Sequence, residues 1–351
     1  MNNSEPKYRR IYAALRHDIL TGKYNADGKF PSEGMLMRKF GVSRITVRQA
    51  MADLKTEGFL EIRCGSGTYL SALARHATGM IGLVIPDYSS SRFFRRLGDE
   101  LVRAGKDRGY TMLLSDIPGD TPAARAHEAV SIAREYARRK VAGVIIEPVE
   151  LMPDSADLTR EIIAAFDSLH IPITLVDRDI SPFERSEYDL VGFDNLNAGL
   201  TLGRHLIANG ARRITFLMPP HSASTNLQRM LGVAGAVIQA GLSWSNRNII
   251  YVNADNRKEL AKALAAKPKP DVVVCHNDQT AAKLPKSVKV AGFDSLDDEA
   301  ARRFPSVRQP IDQIAETAVG TLLERIKNPK TPPRGINIQL LDTPVIGRFM
   351  P

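Results

Sequence analysis

The chain has 351 residues, of which 43% are hydrophobic and 25% are charged, and its formal net charge is +9. This composition is typical of a soluble globular protein with two or three domains. No apolar run approaches the roughly 18 residues of a membrane-spanning helix, and the first residues lack the apolar core of a signal peptide. From these features we expect the protein to act in the cytoplasm.

The positive charge is concentrated at the start of the chain. Residues 1–78 hold 13 Lys and Arg against 7 Asp and Glu, a net charge of +6, which leaves +3 for the other 273 residues. A basic excess confined to one domain is typical of a protein that binds a polyanion. The charge therefore favours a nucleic-acid partner for the first 78 residues.

The segment 31–70 predicts a short helix, a tight turn and a second helix that opens at Ser43. The Ser43 hydroxyl can accept a hydrogen bond from the free N–H groups of that helix. Apolar residues recur at i, i+3, i+4 and i+7, which predicts one buried face; they are Val47, Ala50, Met51 and Leu54. The first turns present Arg44, Thr46 and Arg48 away from this face, where arginine can bind guanine or phosphate.

A glycine-tipped hairpin follows the second helix. Gly58 is predicted to end the helix, and two short strands, 59–63 and 68–71, flank the turn Cys64-Gly65-Ser66-Gly67. Glycines let such a turn approach a phosphate or a minor groove. Each part alone has a simpler interpretation as a hairpin turn or a solvated helix face. The ordered set predicts an α+β winged helix-turn-helix, which places one helix in the major groove of DNA.

Residues 8–70 resemble the DNA-binding domain of the GntR family. The resemblance is carried by Pro31-Ser32-Glu33, Gly41-Val42-Ser43-Arg44, Thr46-Val47-Arg48 and Gly65-Ser66-Gly67-Thr68. Gly34 stands where that family often has a polar or basic residue, and we expect Arg38 or Lys39 to supply the missing contact. The resemblance implies a DNA-binding surface made of Ser32, Arg38, Ser43, Arg44, Thr46, Arg48, Gly65, Ser66 and Gly67.

The rest of the chain alternates short apolar strands with helix-like stretches. The first series of strands is 81–85, 112–114, 144–146 and 173–176, and the second is 190–193, 214–218, 249–252, 272–275 and 288–293. This alternation predicts an α/β domain of two lobes, each a doubly wound parallel sheet. We expect a DNA-binding domain at 1–71, a linker at 72–79 and an effector-binding domain at 80–351. Lobe one would comprise about 80–178 and 310–330, and lobe two about 179–309 and 331–351.

Polar residues follow the predicted strands, where doubly wound sheets bind ligands. They include Asp87, Asp177-Arg178, Asn277 and Asp294. Carboxylates, amides and arginine can bind the vicinal hydroxyls of a sugar, and Phe93 or Phe193 could cover its apolar face. The alternative is that each such Asp or Asn only caps a helix. The repetition over several strand ends favours a ligand cleft.

Residues 79–350 resemble the sugar-responsive effector domain of LacI/GalR repressors. The resemblance is carried by motifs that include Val176-Asp177-Arg178, Asn277-Asp278, Gly292-Phe293-Asp294 and Val307-Arg308-Gln309-Pro310. It implies three interlobe crossovers, near Asp179, Gln309 and Arg334, and a helix at 311–328 that returns to lobe one. The segment 278–288 is short for the family and has room for only a turn or two of helix. The expected effector-binding residues are Asp87, Ser91, Phe93, Asp177, Arg178, Phe193, Arg229, Asn277, Asp294 and Gln309.

These observations predict a sequence-specific transcription regulator. We expect a homodimer that represses from a double-stranded DNA operator and responds to a sugar or similar small polar effector. A nucleoside or other non-sugar metabolite is one alternative, and a regulator fused to an enzyme is another. No Gly-x-Gly-x-x-Gly follows 81–85, no clear lysine for a pyridoxal-phosphate Schiff base appears, and the seven histidines lack metal-ligand spacing. We therefore expect no catalysis, no cofactor, no metal and no membrane partner.

Overall fold

A computed structural model describes residues 6–346 with gaps at 21–22, 25–27, 64, 72–73, 75–78, 87, 90, 119–120, 151–153, 182–184, 266–267, 296–302, 329 and 339–344. The predicted linker falls largely in these gaps, as do Asp87 and Cys64, so these positions lie outside the described residues. No helix in the described part of the chain is both long and apolar enough to span a membrane.

The first domain is the predicted winged helix-turn-helix. Its elements are α1 (Lys7–Leu20), α2 (Glu33–Phe40), α3 (Arg44–Thr56), β1 (Leu60–Arg63) and β2 (Gly67–Leu70). Ser32 and Ser43 cap α2 and α3 by accepting hydrogen bonds from Met35 N and Thr46 N. Val47, Ala50 and Leu54 form the buried face of α3, as the spacing predicts, whereas Met51, also predicted there, is only half-buried.

The second domain contains two six-stranded sheets, and lobe one is built on the first of them. Its strand order is β13-β7-β6-β5-β3-β4, and all neighbouring strands are parallel. The elements of lobe one are β3 (Met80–Val84), α4 (Arg92–Asp107), β4 (Thr111–Ser115), α5 (Pro122–Arg138), β5 (Val144–Ile146), α6 (Ser155–Asp167), β6 (Ile173–Asp177), β7 (Asp189–Phe193), α11 (Ile311–Lys327) and β13 (Gly335–Ile338).

Lobe two repeats the same plan. Its strand order is β14-β12-β11-β10-β8-β9, in which only β14 runs antiparallel to its neighbour. The elements are α7 (Asn195–Ala208), β8 (Ile214–Met218), α8 (Ser224–Gln239), β9 (Ile249–Tyr251), α9 (Arg257–Leu264), β10 (Val272–Cys275), α10 (Asp278–Ala281), β11 (Val290–Asp294), β12 (Ser306–Arg308) and β14 (Val345–Ile346), with a 3₁₀ turn at Asn246–Asn248. The four-residue α10 fits the short helix expected in 278–288.

The predicted division of the lobes is wrong at two places. β7, expected to open lobe two, pairs with β6 in the sheet of lobe one, and β13 pairs with β7 there as well. The chain therefore enters lobe two after Phe193 rather than near Asp179, and it returns to lobe two only after Ile338 rather than near Arg334. A short apolar strand is buried in either sheet, so its periodicity cannot assign it to one. The crossover at Gln309 is where the sequence places it.

Candidate DNA-binding surface and effector cleft

The first turns of α3 form an exposed basic surface. The Arg44 and Arg48 side chains are 62% and 63% exposed. Both pair with one carboxylate, Glu33, at Nε–O distances of 3.1 and 2.9 Å. Ser43 and Thr46 share a hydrogen bond of 3.0 Å beside them. Glu33 therefore holds two arginines side by side at a helix N-terminus, an arrangement suited to bases and phosphates.

Glu33 is a residue of this surface that sequence reasoning missed. Glu33 is part of the Pro-Ser-Glu motif of the sequence. Its role on this surface depends on the fold, which brings α2 against the start of α3. The other predicted residues of α2 are Ser32, which caps the helix, and Arg38, which is exposed in its last turn.

The wing is exposed and structured by its own side chains. Gly65 and Gly67 have φ angles of 74° and 114°, which non-glycine residues rarely adopt. Ser66 Oγ lies 2.7 Å from Tyr69 Oη, and the Arg63 guanidinium stacks over the Tyr69 ring at 4.4 Å. The glycines are thus needed for the turn itself, and the exposed Ser66 and Arg63 provide its polar groups.

A cavity of about 710 Å³ lies between the two lobes. Seven of the ten predicted effector residues line it: Ser91, Phe93, Asp177 and Arg178 from lobe one, and Arg229, Asn277 and Asp294 from lobe two. Gln309 lies behind Asp294, to which its Nε2 donates a hydrogen bond of 2.7 Å. Phe193 is 2% exposed and packs in the hydrophobic core instead of lining the cavity, because it ends a strand that is buried on both faces.

Two aspartates occupy equivalent positions in the two lobes. Asp177 ends β6 and Asp294 ends β11, and each strand is third in the order of its sheet. Their φ angles are 71° and 107°, so both carry left-handed backbone strain. Non-glycine residues held in such conformations cluster at ligand sites. The cleft is therefore framed by one strained carboxylate from each lobe.

The Asp294 carboxylate is influenced by charges from both lobes. Burial raises its pKa, and the charges of Asp177 and Glu150 act in the same direction, while Arg229 and Gln309 oppose them. The repulsion from Asp177 and Glu150 comes from the opposite wall of the cleft. A ligand whose hydroxyls donate to these carboxylates would therefore relieve a repulsion between the lobes.

The lobe-one wall surrounds a single arginine with carboxylates. The Arg178 guanidinium contacts Glu147, Asp177 at 2.9 Å and Glu150 at 3.4 Å, and it also donates to the Pro148 carbonyl at 2.7 Å. Three carboxylates therefore surround one guanidinium, and Arg125 of α5 adds a second cation to the lobe-one lining of the cavity. Sequence reasoning missed Glu147 and Glu150. They follow the end of β5 closely, and Asp177 ends the neighbouring β6, so the strand-end rule could have found them.

Arg229 is the central cation of the lobe-two wall. Its Nε donates to Asn195 Oδ1 at 2.8 Å, and its Nη1 donates to the His276 carbonyl at 2.6 Å and lies 3.5 Å from Asp294 Oδ1. Within the described residues Nη2 makes no hydrogen bond, which leaves its donors for a ligand. Burial lowers the pKa of the neighbouring His276 to about 3, so this imidazole is neutral.

Helix capping explains some of the polar strand ends but not the two aspartates. Ser91, Asp194 and Asn277 each accept a hydrogen bond from a backbone N–H in the first turn of the following helix. Neither Asp177 nor Asp294 caps a described helix. Three buried polar atoms near Asp294 have no hydrogen-bond partner among the described residues, namely His276 Nδ1, Ser295 Oγ and Gln309 Oε1. Such atoms are rare in native proteins, and of the three residues only His276 lines the cavity.

Close packing of α7 against α8 holds Arg229 in place. A Cβ added at Gly199 would lie 2.1 Å from the Arg229 carbonyl oxygen, and one at Gly232 would lie 2.1 Å from the Leu196 carbonyl oxygen. Both neighbours are helix backbone, which cannot yield without separating the helices. Gly199 and Gly232 therefore set the spacing between α7 and α8, and with it the position of Arg229 in the cleft wall.

We expect Gly232→Ala to lower the free energy of unfolding by about 1–3 kcal/mol, because overpacking forces the backbones apart. Thermal unfolding at a fixed pH measures this loss. Gly235→Ala is the matched control on the same helix, since its Cβ would meet only Leu200 Cδ1 at an ordinary 3.8 Å. An equal melting temperature for the two variants would contradict the packing argument.

A winged helix-turn-helix joined to a two-lobed receptor defines a DNA-binding regulator that responds to a small molecule. Residues 7–70 match the model for bacterial regulatory proteins of the gntR family, and residues 78–314 match that for periplasmic binding proteins and sugar binding domain of LacI family. The chain therefore belongs to the family of periplasmic binding proteins and LacI-type sugar binding domains. A GntR-type helix-turn-helix domain precedes its sugar-binding-type domain. Both resemblances noted in the sequence are confirmed.

Individual relatives agree with this assignment. The chain is 26% identical over 339 residues to the arabinose metabolism transcriptional repressor of Geobacillus stearothermophilus, covering 93% of this chain and 87% of that protein. The transcriptional regulator CelR–cellobiose complex has a TM-score of 0.61 at 18% identity, covering 88% of this chain and 97% of that one. A LacI family regulator from Enterococcus faecium with bound ribose has a TM-score of 0.59 at 18% identity, covering 76% and 98%. The protein is a transcription regulator and not an enzyme.

Proposed function

We propose that the protein is a cytoplasmic, homodimeric repressor whose affinity for operator DNA changes when a neutral sugar or a similar small polyol binds between its lobes. A symmetric dimer would place two copies of α3 on the half-sites of a palindromic duplex. In this proposal residues 1–71 bind DNA, residues 80–351 bind the effector, and residues 72–79 form the linker between the two domains.

The observation that carries the proposal is the pair of strained aspartates, Asp177 and Asp294, one from each lobe. Each carboxylate can accept hydrogen bonds from two neighbouring hydroxyls, and Arg229 can donate to a ring or hydroxyl oxygen. A ligand bound by both lobes stabilises their closed arrangement. Only such unequal binding to two arrangements lets an effector change DNA affinity.

The charges of the cleft favour an uncharged ligand. The lobe-one wall has the carboxylates of Glu147, Glu150 and Asp177 around one guanidinium. The described side chains that line the whole cavity include four acidic and four basic ones, so their charges balance and a phosphorylated or carboxylated sugar would add an uncompensated negative charge. Phe93 lines the same side and offers a ring for the apolar face of a sugar. The arabinose repressor and the cellobiose complex among the similar proteins support a sugar, and at 26% and 18% identity they leave its identity to experiment.

A melting-temperature screen tests the proposal. The panel would contain L-arabinose, D-ribose, D-glucose, cellobiose, their phosphate esters and common nucleosides. A neutral sugar at 100 times its dissociation constant should stabilise the protein by about 2.7 kcal/mol, and its phosphate ester should not. Stabilisation by nucleosides or phosphate esters alone would contradict the proposal.

A further inference from the structure

We propose that the helix-turn-helix domain is carried by a docking surface on lobe one, and that this contact transmits effector binding to DNA. The docking surface comprises Arg108, Gly109 and Tyr110 of the loop after α4, together with Leu323, Glu324 and Lys327 of α11. It faces α1 and the end of α3. The inference rests on the proposed function, because it presupposes an effector in the cleft.

Arg16 of α1 is the centre of the contact. Its guanidinium donates to the backbone carbonyl of Arg108 in lobe one and, through Nε, to Glu57 Oε2 at 3.1 Å in its own domain. The Tyr12 hydroxyl donates to the other oxygen of Glu57, and the Arg16 guanidinium lies 5.5 Å from the centre of the Phe59 ring. The Arg16 side chain is only 19% exposed. The long cationic side chain of Arg16 is thus largely buried between two domains. Arginine is rarely buried in this way unless it is paired.

Two glycines lie where the domains touch, and the atoms that a Cβ at either would meet are the ends of flexible side chains, which can shift. Gly109 has a φ angle of 78°, and a Cβ there would collide with the Arg16 guanidinium. Gly58 has a φ angle of 81°, and a Cβ there would lie 2.7 Å from Lys327 Cε. Each domain therefore presents a glycine to a long basic side chain of the other. A groove of about 760 Å³ remains beside these contacts, so the two domains are incompletely packed against each other, as in domain interfaces that move.

The helix α11 connects this contact to the effector cleft. It begins at Ile311, directly after the crossover residue Gln309 that donates to Asp294, and ends at Lys327 on the docking surface. Its 17 residues span about 25 Å. Arg108 also pairs with Glu316 in the middle of α11 at 2.6 Å. Closure of the lobes about the crossovers would therefore turn lobe one, with its docking surface and the docked domain, relative to lobe two.

The docked arrangement leaves the DNA-binding surface accessible. Arg44 and Arg48 remain 62% and 63% exposed, while Glu57, just beyond the other end of α3, takes part in the contact. The contact is therefore not a lid over the recognition helix. It fixes the direction in which that helix points, and in a dimer this direction sets the spacing between the two recognition helices.

Hydrogen exchange of the full chain tests the docking itself without any effector. Arg16→Ala should raise exchange in residues 7–20 and 105–112 several-fold, and Lys327→Ala should do so from the other side of the contact. Arg10→Ala is the matched control, because it removes the same charge from an exposed position of α1. Equal exchange in the Arg16→Ala and Arg10→Ala proteins would overturn the inference.

A second experiment tests transmission. The probes are whichever of L-arabinose, D-ribose, D-glucose and cellobiose raise the melting temperature, together with a duplex selected from a random library by the wild-type protein. The duplex affinity of the wild-type protein should change about 5–150-fold when the sugar is added. In the Arg16→Ala protein this change should be less than about 3-fold. Its sugar affinity, and its duplex affinity without sugar, should equal those of wild type. A wild-type response in Arg16→Ala would overturn the inference. If no sugar stabilises wild type, the proposed function fails, whereas exchange still decides the docking.

Discussion

Arg48→Ala is expected to weaken specific recognition of the operator by about 1–3 kcal/mol, the discrimination that one arginine–guanine contact supplies. Arg48 is exposed at the first turns of α3 and is held beside Arg44 by Glu33. The variant loses a bidentate donor at the point where recognition helices meet base edges. Fluorescence anisotropy with the selected duplex against random competitor DNA measures the loss.

Lys55→Ala is the matched control for Arg48→Ala. It removes one positive charge from the exposed last turn of the same helix, so it should weaken binding to all duplexes equally and slightly. The sugar-induced rise in melting temperature should be the same in both variants, because the cleft lies in another domain. Wild-type discrimination in the Arg48→Ala protein would show that α3 is not the recognition helix.

Arg229→Ala is expected to lose the effector response while it keeps its operator affinity. The side chain spans Asn195, the His276 carbonyl and Asp294, and it has further donors in the cleft. Loss of hydrogen bonds from a charged group costs about 1.5–3 kcal/mol of ligand binding, or roughly 10- to 100-fold in affinity. Truncation also leaves Asp294 buried without its cation, so the variant should melt at a lower temperature than wild type.

Two further variants make this prediction decisive. Gln228→Ala alters the exposed neighbouring position on the same helix and should leave sugar affinity unchanged. Arg229→Lys keeps the positive charge but cannot reach both Asn195 and the His276 carbonyl, so it should restore stability more than sugar affinity. Calorimetric titration with the stabilising sugar distinguishes the two effects. Unchanged sugar affinity in the Arg229→Ala protein would place the ligand elsewhere.

The sequence predicts the first domain well because its signals are local. Ser32 and Ser43 cap the helices that they precede, and Gly58, Gly65 and Gly67 occupy backbone conformations that favour glycine. Such signals depend on a few neighbouring residues. Glu33 escapes prediction because its partners lie on another helix, 11 and 15 residues away in the chain.

In the effector domain the sequence predicts the strands better than their assignment to sheets. Both lobes bury their strands on two faces, so β7 carries no pattern that separates one sheet from the other. The strand-end rule finds Asp177 and Asp294, whereas Arg229, which lies inside α8, is predicted from the LacI/GalR resemblance alone. The residues at a strand end do not show by themselves which of them will be buried. Phe193, predicted in the cleft, therefore packs in the core, whereas the unpredicted Glu147 and Glu150 contact Arg178.

The measurement that tests the central claim most directly is a reciprocal titration of the full-length protein. Duplex affinity is measured without and with saturating sugar, and sugar affinity without and with saturating duplex. A chain that links a DNA-binding domain to a two-lobed receptor should show the same factor, about 5–150-fold, in both directions. Identical duplex affinity at zero and saturating concentration of every sugar that binds would contradict the account.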